Sequence, residues 1–289
     1  VTQDGRLTLA DGRTLAYAER GEPVGYPVVF HHGTPGSRHG HHPDPEVYRG
    51  IRFLTFDRPG YGLSDPLPGR RVADVAADAS ALADHLGLER FAVFGASGGG
   101  PHALACAALL PDRVERALVM VGAAPSDDPE FDFTAGMAEV NLIEFGAALE
   151  GEDALAAVLA PWVEQVADDP EGMLDRLAAE LPDYDREVVS RPEIRGELLA
   201  SFGESVRQGA RGWIDDDLAF AAPWGFDLAD VRPEVRLLQG ELDVLVPRAH
   251  CEYLAGKLPR ATFELVPGAG HLLFDCWPDA LARLRGSPP

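Results

Sequence analysis

Apolar residues along the chain fall into two kinds of run that alternate. Short runs without clean polar alternation occur at 28–30, 51–56, 91–94, 117–121, 235–238 and 262–266. A strand with one wet face alternates with period two, so these runs predict strands covered on both faces. A hairpin pattern precedes them, with arms at 6–10 and 14–19 about Asp11-Gly12, a pair that tolerates positive φ. Between the runs, apolar residues recur at three-to-four spacing. The segment 71–86 aligns Val72, Val75, Ala79, Leu82 and Leu86 on one face and is stopped by Gly87. Helices are also predicted at 98–110, ending before Pro111, and at 248–258 and 279–284. Strand and helix in alternation predict an α/β fold, a mostly parallel sheet with helices on both faces, entered through an antiparallel hairpin.

The rhythm breaks between Ser126 and Pro223. Only helical patterns occur there, at 134–149, 152–166, 172–181 and 194–209, with Pro161, Pro170, Pro182 and Pro192 as separators. The domain expectation is therefore a core made of 1–125 and 226–289, with a helical insertion at 126–225. Charge supports the division: the insertion holds 24 Asp and Glu against 6 Arg, a large share of the whole chain's net charge of −22. So acidic a surface repels phosphate backbones and anionic lipid, which disfavours nucleic-acid and membrane partners. No apolar stretch reaches the roughly 18 residues of a membrane span. The opening residues carry neither a basic start nor an apolar signal core, so a cytoplasmic protein is expected. Cys106, Cys251 and Cys276 are odd in number and lack metal-binding spacing, and Cys106 is expected to be a buried thiol in a helix.

The strongest chemical motif is Gly95-Ala96-Ser97-Gly98-Gly99, between a predicted strand and a predicted helix. A nucleophilic Ser is displayed on a tight strand-to-helix turn, and glycines two residues to either side remove colliding Cβ atoms. Its hydroxyl needs a base. His271, in Val266-Pro267-Gly268-Ala269-Gly270-His271 after the last strand run, is the best placed; His102 is expected to face away from the nucleophile. The base needs an orienting acid. Asp243, after the run at 235–238, is the first choice, with Glu241 as chief rival and Asp275, Asp127 and Asp128 as weaker ones. In His31-His32-Gly33-Thr34-Pro35-Gly36 the amide of Thr34, with that of Gly98, is expected to form an oxyanion hole. Two other clusters are read as non-functional: His39, His41, His42 and Asp44 as a solvated loop rather than a metal site, and Asp215-Asp216-Asp217 as a helix-capping acidic face.

Taken with Asp57-Arg58-Pro59-Gly60-Tyr61-Gly62-Leu63-Ser64, these motifs resemble the α/β-hydrolase superfamily over nearly the whole chain outside the insertion. The resemblance implies an eight-stranded sheet, a helical cap between strands six and seven, and a Ser97–His271–Asp243 triad. The turn at 57–64 is expected to be structural. Haloalkane dehalogenases and epoxide hydrolases carry Asp where Ser97 stands, so acyl transfer to water is implied instead. Proline iminopeptidases resemble the chain in the His-Gly-x-Pro-Gly loop and the acidic cap, with Gly where Thr34 lies.

The expected activity is thus a cofactor-independent serine esterase, with no metal, acting on a small-molecule substrate. Homodimerisation is left open. Rival readings are an iminopeptidase-like amidase, a biosynthetic enzyme performing C–C cleavage or cyclisation on the same triad, and a non-catalytic small-molecule receptor. Phe131, Phe133, Phe145, Trp162 and Trp213 are the candidate walls of the substrate pocket.

Overall fold

Eight strands form one sheet in a computed structural model that describes residues 2–286. They are β1 (Thr2–Thr8), β2 (Thr14–Gly21), β3 (Tyr26–His31), β4 (Ile51–Phe56), β5 (Phe91–Ala96), β6 (Val114–Met120), β7 (Glu234–Gly240) and β8 (Ala261–Val266). Their spatial order is β1-β2-β4-β3-β5-β6-β7-β8. The β1–β2 and β2–β4 pairs are antiparallel and every other pair is parallel. The hairpin turns at Gly12, whose φ of 91° suits a residue without Cβ.

The unbroken apolar runs are explained by the two cores. Val29, Leu54, Val93, Val119 and Leu237 face one layer, beneath α1 (Val75–His85), α2 (Gly99–Leu109) and α9 (Ala249–Lys257). Their neighbours Val28, Phe53, Phe94, Leu118 and Leu238 face the other, against Trp277 and Leu281 of α10 (Trp277–Leu284). Successive side chains point to opposite faces, and here both faces are dry. The edge strand β8 departs from this: Thr262, Phe263 and Glu264 are exposed.

Among the described residues, six α-helices, one 3-10 turn (Leu228–Asp230) and no strand lie between β6 and β7: α3 (Glu139–Glu150), α4 (Glu152–Asp168), α5 (Pro170–Glu180), α6 (Asp183–Ser190), α7 (Pro192–Ser205) and α8 (Arg211–Phe220). Two of the proline separators instead begin helices. Pro170 and Pro192 occupy first helical positions, where a missing N–H costs nothing. Pro161 sits inside α4 on its exposed side, where water can take over the freed carbonyl. The expected helix at 134–149 starts later, at Glu139. The sequence pattern missed α6 and α8. In α8 nearly every residue is buried, so no amphipathic stripe marks it. No helix among the described residues is long and apolar enough to cross a membrane.

Candidate active site

The turn from β5 into α2 holds Ser97 at φ 53°, a left-handed conformation that few non-glycine residues adopt. Its amide donates to the Met120 carbonyl at 2.9 Å, and its own carbonyl accepts from Gly100 at 2.8 Å. The flanking glycines are sterically required. A Cβ on Gly95 would strike the Gly99 carbonyl, and one on Gly99 would strike the His31 carbonyl.

Asp243 lies beyond the carboxyl end of β7 with its carboxylate fully enclosed. Its Oδ1 accepts from the amides of Leu245 and Val246, each at 2.9 Å. Its Oδ2 accepts from Gln239 Nε2 at 3.0 Å and lies 2.8 Å from His271 Nδ1. A carboxylate can only accept here, so Nδ1 carries the proton and Nε2 keeps its lone pair. Burial pulls the His271 pKa down, but the carboxylates of Asp243 and Asp185 outweigh it and raise it above 6.5. Asp185, on α6, was not recognised in the sequence. It accepts from the amides of His271 at 3.0 Å and Leu272 at 2.8 Å, and occupies the space a Cβ on Gly270 would need. The rival acids are engaged elsewhere: Glu241 with the Gly268 amide, Asp275 with Arg191, and Asp128 with Tyr253 and Lys257.

The loop after β3 packs against this turn. A Cβ on Gly33 would lie 3.5 Å from Ser97 Cβ, and one on Gly98 would collide with the Thr34 hydroxyl. Among the described residues nothing accepts a hydrogen bond from the amides of Thr34 or Gly98, as donors reserved for an oxyanion require.

The acidic triplet is not the expected helix-capping face: Asp215, Asp216 and Asp217 lie inside α8 and are all buried. Asp215 pairs with Arg211. Asp216 sits among Arg58, Arg70, Tyr61, His102 and Thr34. The positive charge supplied by two guanidiniums is what lets a carboxylate go so deep. Burial opposes its ionisation, yet Arg58 and Arg70 hold its pKa well below 3.8. As a carboxylate Asp217 would have no donor for either oxygen. Burial and the facing Glu144 push its pKa well above 3.8, and burial raises that of Glu144 as well. The histidine loop is partly solvated: Asp44 is exposed, while His39, His41 and His42 are half-buried, with His41 Nδ1 2.9 Å from Glu197 and His42 beside Phe274 and Trp277. The turn at 57–64 closes on Asp57, which accepts from the Arg38 and Leu63 amides and from the Arg38 guanidinium.

Ser97, Thr34 and His271 line one cavity of about 520 Å³. The inserted helices supply much of its wall, including Ile143, Met173, Leu177 and the expected Trp162 and Trp213. Phe131, Phe133 and Phe145 are not in that wall. They pack with Met137 and Val246, and the rings of Phe131 and Phe133 meet His250 edge-on at 5.0 and 5.1 Å. The reason is that the chain before α3 and the first turn of that helix are tied to the Asp243 loop, through Ala138 N to Val244 O at 2.6 Å and Asn141 Nδ2 to Leu245 O at 2.8 Å. It therefore lies on the core rather than over the cavity. Glu144, buried with Oε1 accepting from Trp213 Nε1 at 2.6 Å, is the one deeply buried acid in the lining.

Residues 26–146 match the family model described as alpha/beta hydrolase fold. Over 300 residues the chain is 29% identical to a proline iminopeptidase of Arabidopsis thaliana, covering 92% of this chain and 74% of that protein. A proline iminopeptidase of Xylella fastidiosa is 28% identical over 312 residues, covering 94% and 92%. Among solved structures, a thermophilic esterase from Thermogutta terrifontis superposes with a TM-score of 0.69 at 22% identity, covering 98% and 96%. At that identity the likeness is one of fold.

Proposed function

Because this chain belongs to the α/β-hydrolase superfamily, we propose that it is a cofactor-independent serine hydrolase cleaving a carboxylic ester through an acyl-enzyme. The observation that carries the reading is Ser97, held at φ 53°, sharing one cavity with a His271 whose Nδ1 is 2.8 Å from Asp243. Ser97 attacks the ester carbonyl while His271 Nε2 takes its proton and then passes it to the leaving alkoxide. Asp243 fixes the tautomer and stabilises the imidazolium. The amides of Thr34 and Gly98 receive the charge that develops on the carbonyl oxygen. Water, activated by the same His271, releases the acid. Residues 126–225 serve as the cap that closes the substrate cavity.

The test pairs fluorophosphonate labelling with a p-nitrophenyl ester series of increasing acyl length. Labelling is expected at Ser97. The cavity wall is largely apolar, so kcat/KM is expected to rise about fourfold per methylene while the chain still fits, the equivalent of roughly 0.8 kcal/mol each. A folded protein that neither labels nor turns over any member overturns the reading.

One observation favours a second reading, an amidase acting on substrates with a free amine. Glu144 lines the cavity; burial raises its pKa, and a bound ammonium group would supply the positive charge that stabilises its carboxylate form. The proline iminopeptidase names of the relatives agree with it. Turnover of proline β-naphthylamide that is lost in Glu144→Gln, exceeding turnover of any ester, would favour it.

The pH profile has a defined sign. His271 must be neutral to act as base, and its pKa lies above 6.5. The kcat/KM of the free enzyme is therefore expected to fall about tenfold per pH unit below that value, with its acid limb on the alkaline side of 6.5. A limb well below 6.5, measured with a substrate that does not itself titrate, would contradict the neighbour charges described here.

A further inference from the structure

We propose that Asp216, delivered by α8 from the inserted helices, is a positioning residue that locks the Gly33–Thr34 peptide in the orientation of an oxyanion hole. The inference rests on the hydrolase reading above, and its argument is geometric. In a trans peptide the carbonyl and the N–H point in opposite directions. The Gly33 carbonyl and the Thr34 amide belong to one such unit, so whatever holds the carbonyl aims the amide. Arg58 Nη2 donates to the Gly33 carbonyl at 2.9 Å, and Nη1 donates to the preceding His32 carbonyl at 2.5 Å. His32 Nδ1 lies 2.7 Å from the same Gly33 oxygen. Arg58 is in turn held by Asp216, with Nε 3.2 Å from Oδ1 and Nη2 2.5 Å from Oδ2. Asp216 Oδ2 also accepts directly from the Thr34 hydroxyl at 2.9 Å and from Tyr61 at 2.9 Å. One carboxylate thus grips both sides of the peptide unit, the carbonyl through Arg58 and the following residue through its hydroxyl.

The clamp has a task because Gly33 lacks a Cβ and so places little restraint on its own ψ, one of the two torsions that set this unit. A rotated peptide would turn the carbonyl oxygen toward Ser97 and remove the donor. The same carboxylate reaches the nucleophile's own helix through His102 on α2, whose Nε2 lies 3.3 Å from Oδ1. Phe220, at the end of α8, stands next to Gly98, since a Cβ there would lie 3.2 Å from its ring. The helical insertion therefore contributes to the transition-state donors as well as to the cavity wall.

Thr34→Val is the informative variant. It keeps the amide and the branched shape, removes the hydroxyl's bond to Asp216 and the one it accepts from Arg58 Nη2 at 3.1 Å, and leaves Asp216 paired with Arg58, Arg70 and Tyr61. The expected result is a kcat lowered about 10- to 100-fold with KM within about twofold. Affinity for a boronic acid that forms a tetrahedral adduct on Ser97 should fall in parallel, while affinity for the product acid holds. Thr34→Ser should restore kcat to within a few-fold. Asp216→Asn, where it folds, should show the same split between kcat and KM; where it does not fold, Thr34→Val decides. Wild-type kcat and boronate affinity in Thr34→Val, or in a folded Asp216→Asn, would overturn the proposal. Absence of labelling and turnover in the wild-type protein would instead overturn the hydrolase reading, so the two failures are distinguishable.

Discussion

Ser97→Ala is expected to lower kcat by on the order of 10⁵- to 10⁶-fold and to abolish fluorophosphonate labelling, while substrate analogues still bind. The magnitude follows from what the substitution removes and what it spares. It takes away the atom that forms the acyl bond in the proposed mechanism, so that two-step path closes. The amides of Thr34 and Gly98 and the walls of the 520 Å³ cavity are untouched, which leaves the modest residual rate that oriented water and a formed oxyanion hole can supply. The turn itself should survive, because Ala bears the same Cβ as Ser at φ 53° and gains no new strain. Single-turnover kinetics on freshly purified variant, with titration of any active contaminant, is the required measurement. A loss smaller than about 100-fold would mean that another nucleophile carries the reaction.

Asp243→Asn is expected to lower kcat by about 10⁴-fold with a nearly unchanged fold. Here the hydrogen-bond census decides the outcome. In the native site four donors converge on this carboxylate: two backbone amides on Oδ1, and Gln239 with His271 on Oδ2. An asparagine must place its NH₂ at one of those positions, where donors already point. Set against the two backbone amides, it loses both bonds. Set against His271, it forces the ring into the other tautomer, with Nδ1 accepting and Nε2 protonated, and a protonated Nε2 cannot take the Ser97 proton. The variant should also lose most of the charge that raises the His271 pKa, moving the acid limb of kcat/KM to lower pH. Activity within tenfold of wild type would show that Asp243 does not orient the base.

The parts of the molecule readable in advance share one property: the constraint is local. The Gly95–Gly99 turn could be recognised because two missing Cβ atoms are demanded by neighbours only four residues away, or by the adjoining strand. The strand runs were legible because both faces of the sheet are dry, which writes an uninterrupted apolar signature. Asp243 and His271 followed from their places after strand ends. The insertion was legible as helical and acidic, but the use of its acids was not. A triplet of aspartates reads by local rules as a helix-capping acidic face, and α8 itself left no pattern.

What decided otherwise lies far off in the chain. Thr34 and Asp216 meet across 182 residues, Arg58 and Asp216 across 158, and His271 and Asp185 across 86. Carboxylates enter the interior only where cations and amides are already waiting, and that arrangement exists only once the helices have docked. Residue order by itself therefore determined the sheet and the strand-to-helix turn that carries Ser97, and it pointed to the His271–Asp243 pair that the structure brings together. Tertiary packing alone decided which acids hold the two loops in place and which aromatics face the cavity, because desolvation and charge pairing are properties of assembled surroundings rather than of a stretch of chain.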